Sequence, residues 1–192
     1  YDLSKRRSNL SILPPYDGKA FSSFVETIYN MHGYIEHCRE EYVLISQGNV
    51  ITNIDYTDVF DFHSKKKADI TLIYKNHAIP QGYDRPITLD VDNDGKVNQI
   101  FVKPGVVDKG VFNHAYGSIL IKKDLLMSEI RNAISVNQLD VRRLIQSSLG
   151  KYSIYAYENK GYCAAISSIN DYFEFNMDLM KKEVRDELFN PQ

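Results

Sequence analysis

The side chains with the clearest chemical potential are the three carboxylates Asp90, Asp92 and Asp94, followed by Gly95. Alternating acidic residues with glycine at the sixth position are typical of the start of a calcium-binding loop. Such a loop needs glutamate at its twelfth position, where this chain has Phe101. Asp-Gly between two alternating segments predicts a β-hairpin, because glycine accepts the positive φ of a tight turn. We therefore favour the hairpin over the calcium site.

Other motifs for catalysis or cofactor binding are absent from the sequence. The five histidines form no HExxH pattern, and Cys38 and Cys163 have neither zinc-ligand spacing nor a disulfide framework. There is no Gly-x-Ser-x-Gly nucleophile turn and no phosphate-binding GxxxxGK[ST] or GxGxxG loop. The residue patterns alone indicate an α/β chain without a visible catalytic apparatus.

Hydrophobic periodicity predicts the elements that would position a site in the first half of the chain. Apolar residues at helical spacing predict a helix over residues 20–38. The continuous apolar runs 42–45 and 70–74 predict strands buried on both faces, as in a parallel sheet. Asp55 is the expected N-cap of a helix between them. Strand, helix and strand form a βαβ unit, for which we expect a right-handed crossover.

The second half predicts a hairpin followed by mixed helices and strands. Turn residues and alternation predict strands over residues 88–91, 97–102, 117–121 and 153–157. Helices are predicted from 123 to 134, from 138 to a C-cap at Gly150, and, as the last element, from Ser168. The expected fold class is α/β with a mixed sheet.

Composition narrows the classes of protein to which the chain could belong. Its 192 residues are 43% hydrophobic and 25% charged, as in an ordinary globular domain. A formal net charge of −2 argues against a dedicated nucleic-acid binder. No apolar run of membrane-spanning length occurs, so we expect no membrane partner. Two cysteines without a disulfide framework and no apolar signal segment predict a cytoplasmic protein.

Four segments resemble sugar-nucleotidylyltransferases, and in particular glucose-1-phosphate adenylyltransferases. Residues 42–56 resemble a stretch that in the catalytic members typically reads Leu-Ala-Gly-Asp-His-Ile-Tyr-x-x-Asp-Tyr. Residues 101–104 resemble Phe-Val-Glu-Lys-Pro, residues 115–121 resemble Ser-Met-Gly-Ile-Tyr-Val-Phe, and residues 161–179 resemble the Gly-Tyr-Trp-Arg-Asp-Val-Gly-Thr and Asn-x-Asp-Leu segments. The resemblance implies a Rossmann-like nucleotidyltransferase (GT-A-like) mixed sheet with helices on both faces, incomplete at the N-terminus.

The resemblance also implies a particular kind of subunit. Residues 1–15 are similar to the D-type subunit of bacterial glycogen synthesis, which partners a catalytic subunit. Residues 1–192 would then be a partial nucleotidyltransferase domain, without the nucleotide-loop βα unit and the C-terminal β-helix of the family. Missing strands leave exposed sheet edges, so we expect an oligomer.

The departures from the family pattern fall on its metal ligands. Adenylyl transfer needs Mg²⁺, which prefers carboxylate oxygen. The family's first metal-binding aspartate corresponds to Asn49, which carries no charge, and the second to Ala165, which cannot ligate. The glutamate that meets the sugar corresponds to Val102, and the Gly-Thr-Ala-Asp-Ala helix entry is also missing. These changes predict a chain without catalytic residues or a metal site of its own.

Ligand binding is a separate expectation from catalysis. The resemblance implies substrate-binding roles for Lys103 and Gly117, with Mg²⁺ and ATP needed only by a catalytic partner subunit. Lys103 could equally be a solvated lysine beside Pro104. Two further hypotheses remain open: an active Mg²⁺-dependent nucleotidyltransferase that uses Asp55 or Asp92, and a module that senses a phosphorylated metabolite, such as a sugar phosphate or nucleotide, near Lys103.

Overall fold

The structure, a computed structural model, describes residues 23–78, 87–102 and 110–189. These residues form seven helices and eight strands. Their order is α1 (Phe24–Asn30), α2 (His32–His37), β1 (Tyr42–Ile45), β2 (Val50–Thr52), α3 (Tyr56–Lys66), β3 (Ile70–Ala78), β4 (Ile87–Val91), β5 (Val97–Val102), β6 (Val111–Lys122), α4 (Lys123–Ser135), α5 (Val141–Ser148), β7 (Ile154–Glu158), β8 (Cys163–Ala165), α6 (Ile169–Leu179) and α7 (Lys182–Phe189).

A six-stranded mixed sheet organises the fold. The strand order is β5-β4-β6-β3-β7, and β1 also pairs with β6. The long strand β6 is antiparallel to β3 along one edge and to β1 and β4 along the other. Strands β3 and β7 pair in parallel. A separate two-stranded ladder joins β2 to β8. This mixed α/β sheet is the fold class that the sequence predicted.

Helices cover both faces of the sheet. Alternate residues of a strand point to opposite faces, and Leu72 and Ile73 of β3 accordingly belong to different clusters. Leu72 packs in the main core with residues of α1, α4 and α5, including Ile130, which is fully buried. Ile73 packs on the other face with Val59 of α3. The arrangement confirms the predicted Rossmann-like architecture.

The predicted pairing of residues 42–45 was wrong. The apolar run suggested a parallel strand buried on both faces, but β1 pairs antiparallel with β6, and its Leu44 is 39% exposed. Strands β1 and β3 are nevertheless parallel to each other, because both are antiparallel to β6, which lies between them. A strand from later in the chain thus separates the two strands of the predicted βαβ unit.

Two helix predictions also needed correction. The helix predicted over 20–38 is, in its described part, two helices: Met31 has φ −90° and ψ 4°, which interrupts the helix after α1. The element from Ser168 is not the last, because α7 follows α6. The predicted start at Ser168 is confirmed, with a reciprocal capping box, and Ser23, which was not predicted, begins α1 in the same way.

Asp55 and the hairpin turn lie where the sequence predicted them. The Asp55 carboxylate accepts a hydrogen bond of 2.7 Å from the Thr57 backbone N–H at the start of α3. In the turn between β4 and β5, the Asp92 carboxylate accepts hydrogen bonds of 2.9 Å from the N–H groups of Asp94 and Lys96. The carboxylates considered for a metal therefore have local structural roles.

Gly95→Ala is expected to destabilise the protein by about 1–2 kcal/mol, because alanine pays this cost in left-handed backbone. Gly95 has φ +86°, and an added Cβ would lie 3.1 Å from Phe62 Cζ and 3.4 Å from the Ala156 carbonyl oxygen. Urea unfolding measures the effect. The matched control is Gly33→Ala in α2, where an added Cβ meets nothing within 4 Å. Equal unfolding free energies for the two variants would contradict the prediction.

Candidate functional site

The β2–β8 ladder brings together two segments that are distant in the sequence. Val50 is the register partner of Ala165. One residue further along, the Asn49 carbonyl oxygen accepts a hydrogen bond of 2.8 Å from the Ile166 N–H, and Asn49 Nδ2 donates one of 3.1 Å to the Ile166 carbonyl. Asn49 and Ile166 are 117 residues apart. The two positions at which the sequence departs from the family pattern are therefore neighbours in space.

The chemistry available at positions 49 and 165 is that of a neutral amide and a methyl group. Asn49 uses its amide to hold the two strands together, and Ala165 is buried. In the described ranges, no group of three or more His, Cys, Asp or Glu side chains is arranged to hold a metal ion. Because a hard cation needs several oxygen ligands, and carboxylates above all, the described side chains at the ladder do not fit a Mg²⁺ site.

A cavity of about 650 Å³ opens beside the central strand β6. Its wall includes Tyr116 and Gly117, Gln47 from the turn after β1, and Arg142 at the start of α5. The wall is shaped by a bulge in β6: Ile73 pairs with Ser118 and Tyr74 with Ala115, so Tyr116 and Gly117 have no register partner on β3. Bulges re-aim the strand's side chains and are frequent beside binding sites.

The charged groups of the cavity form an ion pair at the start of α5. The Asp140 carboxylate accepts hydrogen bonds from the Arg142 N–H at 3.0 Å, from its Nε at 3.0 Å and from its Nη2 at 3.2 Å. Asp140 thus caps the helix and holds the guanidinium at the cavity wall. A guanidinium has five N–H donors, so Arg142 keeps donors with which it could also meet an anionic ligand.

Aromatic rings support the cavity wall from behind. The Tyr116 hydroxyl shares a hydrogen bond with His77 Nε2, and the two rings stack with centroids 5.3 Å apart. The buried His114 ring lies 4.3 Å from that of Tyr116. Burial, with a smaller contribution from His77, lowers the pKa of His114 to about 3. His114 is therefore neutral at physiological pH and serves as packing.

Strand β8 also carries one of the two cysteines. Cys163 is next to Ala164, and burial raises the pKa of its thiol to about 11, against a smaller opposing effect of Lys75 and Thr52. The thiolate is the reactive form of cysteine, so this thiol is expected to be inert at neutral pH.

We expect Cys163 to react with iodoacetamide at pH 8 more than tenfold more slowly than an ordinary thiol, because only about one molecule in a thousand would carry the thiolate. The measurement uses the Cys38→Ser variant, in which Cys163 is the remaining cysteine. The same variant unfolded in urea is the control. Equal alkylation rates in the folded and unfolded states would contradict the assigned burial.

Of the two substrate-binding residues that the resemblance implied, the structure places one. Gly117 lines the cavity, and its role in binding stays a prediction. Lys103 lies outside the described residues. Sequence reasoning missed Gln47 and Arg142. Asp140 carried a usable signal for Arg142, since an aspartate before a helical run predicts an N-cap and places the next residues in the first turn of a helix.

The fold is of the Rossmann-like α/β class, and a solved structure agrees with this. The crystal structure of HddC from Yersinia pseudotuberculosis is similar with a TM-score of 0.57, covering 82% of this chain and 62% of that one. At 16% sequence identity this likeness bears on the fold alone. Within the described ranges, the helices are too short or too polar to cross a bilayer.

Sequence comparison gives a consistent set of relatives, although no protein-family model matches the chain. The glucose-1-phosphate adenylyltransferase of Clostridium acetobutylicum is 27% identical over 202 residues, covering 100% of this chain and 52% of that protein. The proteins of the same name from Bacillus subtilis and Ruminiclostridium cellulolyticum are 27% and 26% identical, with 98% and 100% of this chain covered. Along its whole length the chain is thus similar to proteins named glucose-1-phosphate adenylyltransferase, which supports the resemblance to that family. The chain spans about half the length of the curated relatives it matches.

Proposed function

We propose that this chain is part of a non-catalytic subunit of glucose-1-phosphate adenylyltransferase. In this proposal it is a cytoplasmic, D-type regulatory or scaffold subunit in a hetero-oligomer with a catalytic subunit. There it modulates the synthesis of ADP-glucose from ATP and glucose 1-phosphate for glycogen. The names of the relatives and their alignment across the whole chain support the reaction, and the residues at the β2–β8 ladder support the regulatory role.

The β2–β8 ladder is the observation that carries the proposal. Asn49 and Ala165 were assigned separately, by resemblance, to the positions of the two metal-binding aspartates. Two ligands of one ion must lie close together, and the ladder places Asn49 opposite Ile166, the residue that follows Ala165. The closeness of the two positions supports their assignment as the family's metal-binding positions. Their residue types, an amide and a methyl group, support the loss of the metal.

Mg²⁺ chemistry explains why these two changes would abolish catalysis. The metal orients the triphosphate and offsets the charge that develops during in-line displacement. At 4 Å, two unit charges interact by roughly 4 kcal/mol near a protein surface, and a divalent ion doubles this. Replacing one carboxylate by an amide and the other by a methyl group removes the attraction of both carboxylates for the ion. A site built this way would leave the ion in water.

The competing hypothesis of an active enzyme relies on Asp55 or Asp92, and the geometry disfavours it. Both carboxylates face a different cleft, of about 690 Å³, which is not lined by Asn49 or Ala165. Asp55 caps α3, and the hydrogen bond from the Thr57 backbone lowers its pKa. Asp92 holds the hairpin turn. Neither is placed to replace a ligand at the ladder.

A sugar phosphate bound in the cavity beside Gly117 belongs to the same proposed function. Arg142 supplies N–H donors in a geometry that suits phosphate, and the resemblance adds Lys103, directly after β5. In this proposal the ligand occupies the cavity without being turned over. Its occupancy is then the signal that the subunit reports to its partner.

The test is a rate measurement on the mixed oligomer. Pyrophosphate release by the catalytic partner is followed at saturating ATP and Mg²⁺ over a range of glucose 1-phosphate concentrations, with and without an equimolar amount of the full-length chain. We expect a change in the partner's rate or in its KM for glucose 1-phosphate. An unrelated protein at equal concentration is the control. Unchanged kinetics would reject the regulatory role.

A further inference from the structure

The side chain of Gln47 lies directly on Gly117. A Cβ added to Gly117 would be 2.8 Å from Gln47 Cδ and 3.2 Å from Cγ, and closer still to Nε2. The contacts with Cδ and Nε2 are closer than real Cβ atoms come, so residue 117 has to be glycine while the carboxamide lies in this position. Gly117 also has φ +78°, which any other residue would adopt at a cost. The bulge in β6 therefore presents a bare backbone surface, and the Gln47 carboxamide covers it.

Gln47 covers this surface from inside the cavity. Gln47, Gly117 and Arg142 all line the same 650 Å³ space. The Gln47 side chain thus bounds the cavity next to the bulge and separates its space from Gly117, while the Asp140–Arg142 pair lies in the wall formed by α5. A ligand that reaches from Arg142 to the backbone of Gly117 would meet the glutamine first. In the Leu-Ala-Gly-Asp segment of the catalytic members, a small alanine stands at this position.

The Gln47 side chain can turn away from Gly117 without disturbing the fold. Its backbone carbonyl accepts a hydrogen bond of 3.3 Å from the Val50 N–H, which fixes the turn whatever the side chain does. Gln47 is an exposed residue. Turning its side chain outward therefore breaks little packing. An exposed glutamine interconverts between rotamers in picoseconds to nanoseconds.

We propose that Gln47 is an intrinsic plug of the Gly117 cavity and lowers its affinity for sugar phosphates. The ligand class rests on the proposed function; the plug rests on the Gln47–Gly117 contact. The ligand binds when Gln47 is turned out, and the side chain returns when the ligand leaves. The plug sets the concentration at which the subunit responds, and it rejects ligands that cannot displace it.

The expected size of the effect follows from the population of the open rotamer. The apparent dissociation constant equals the intrinsic constant divided by the fraction of binding-competent molecules. If the carboxamide is turned out in about a tenth of the molecules, removing it tightens binding about tenfold. Inorganic phosphate can reach Arg142 without occupying the space beside Gly117. Its affinity should therefore change little.

The experiment compares Gln47→Ala with the wild-type full-length chain by isothermal titration calorimetry, with glucose 1-phosphate and, separately, inorganic phosphate. Gln99→Ala is the matched control, since Gln99 is an exposed glutamine on β5 that does not line the cavity. We expect about tenfold tighter binding of glucose 1-phosphate by Gln47→Ala alone. The thermal unfolding midpoints without ligand should be equal, because Gln47 is exposed.

Two results would overturn the proposal that Gln47 is a plug. Weaker binding by Gln47→Ala would make the glutamine a ligand-binding residue, and unchanged binding, including no binding by any variant, would remove its role. Neither result touches the proposed regulatory function, which is decided by the partner's rate in the mixed oligomer. Conversely, a tenfold gain at Gln47→Ala would stand even if the partner's rate were unaffected.

Discussion

The double variant Asn49→Asp/Ala165→Asp is expected to gain affinity for Mg²⁺, on the order of 100-fold over the wild-type chain. Each new carboxylate would attract a divalent ion by several kcal/mol at contact, and desolvation and the mutual repulsion of the carboxylates offset much of this. In EDTA the variant should unfold at a lower temperature than the wild type, because two like charges then lie at neighbouring positions of the ladder. Mg²⁺ should restore the midpoint. Thermal unfolding against Mg²⁺ concentration measures both effects.

The control places the second charge away from the ladder. In Asn49→Asp/Gln99→Asp the second carboxylate lies at an exposed position of β5. This variant should not respond to Mg²⁺ beyond the wild type. Equal responses of the two double variants would show that positions 49 and 165 are not arranged as a pair of metal ligands, and the main support for lost catalysis would disappear.

Acid is expected to destabilise the protein through its buried histidines. The pKa of His114 is lowered to about 3 by burial and then by His77. Burial, followed by Lys122, also lowers the pKa of His63, against an opposing effect of Asp69. The ring of His63 is buried behind Tyr42 and hydrogen-bonds through Nδ1 to Thr71 at 2.8 Å. Both rings are thus held neutral in the folded state.

The direction of the pH effect is set by these lowered pKa values. Below about pH 6.5 each of these histidines is more protonated in the unfolded chain than in the folded one, so stability present above this pH is lost as the pH falls. For His114 the loss approaches about 1.4 kcal/mol per pH unit and amounts to about 2.3 kcal/mol between pH 6.5 and 4.5, because the unfolded histidine is half protonated at pH 6.5. Urea unfolding at several pH values measures the slope.

His114→Phe should reduce that slope by about 1.4 kcal/mol per pH unit, because phenylalanine does not titrate. His37→Phe is the control at an exposed position of α2. If His114→Phe is too unstable to measure, NMR titration of the wild-type His114 ring tests the same point. A ring that binds its proton near pH 6.5 in the folded protein would contradict the assigned burial.

Local signals in the sequence predicted local structure well. Asp-Gly at positions 94 and 95 indicated the hairpin, and Asp55 and Ser168 indicated the starts of α3 and α6, because the residue types that cap and turn the chain act within a few residues. The apolar runs identified the strands at 42–45 and 70–74 but not their partners. The pairing of β1 depends on β6, which comes much later in the chain.

The candidate site was predictable only in part, because its contacts also join segments that are distant in the chain. The resemblance identified Asn49 and Ala165 as individual departures, whereas the ladder that joins them consists of two three-residue strands, too short for any periodicity to show. Gly117 could be identified from a motif. Its contact with Gln47 could not, since that contact depends on a bulge in β6 and on a turn at the end of β1.

The most direct test of the central claim is an assay of the full-length wild-type protein alone. Pyrophosphate release is measured with ATP, glucose 1-phosphate and Mg²⁺, with a catalytic relative as the positive control. We expect no release above the background without protein, at any Mg²⁺ concentration, because Asn49 and Ala165 cannot hold the metal. Mg²⁺-dependent turnover by the protein alone would contradict it, and would mean that other residues hold the metal.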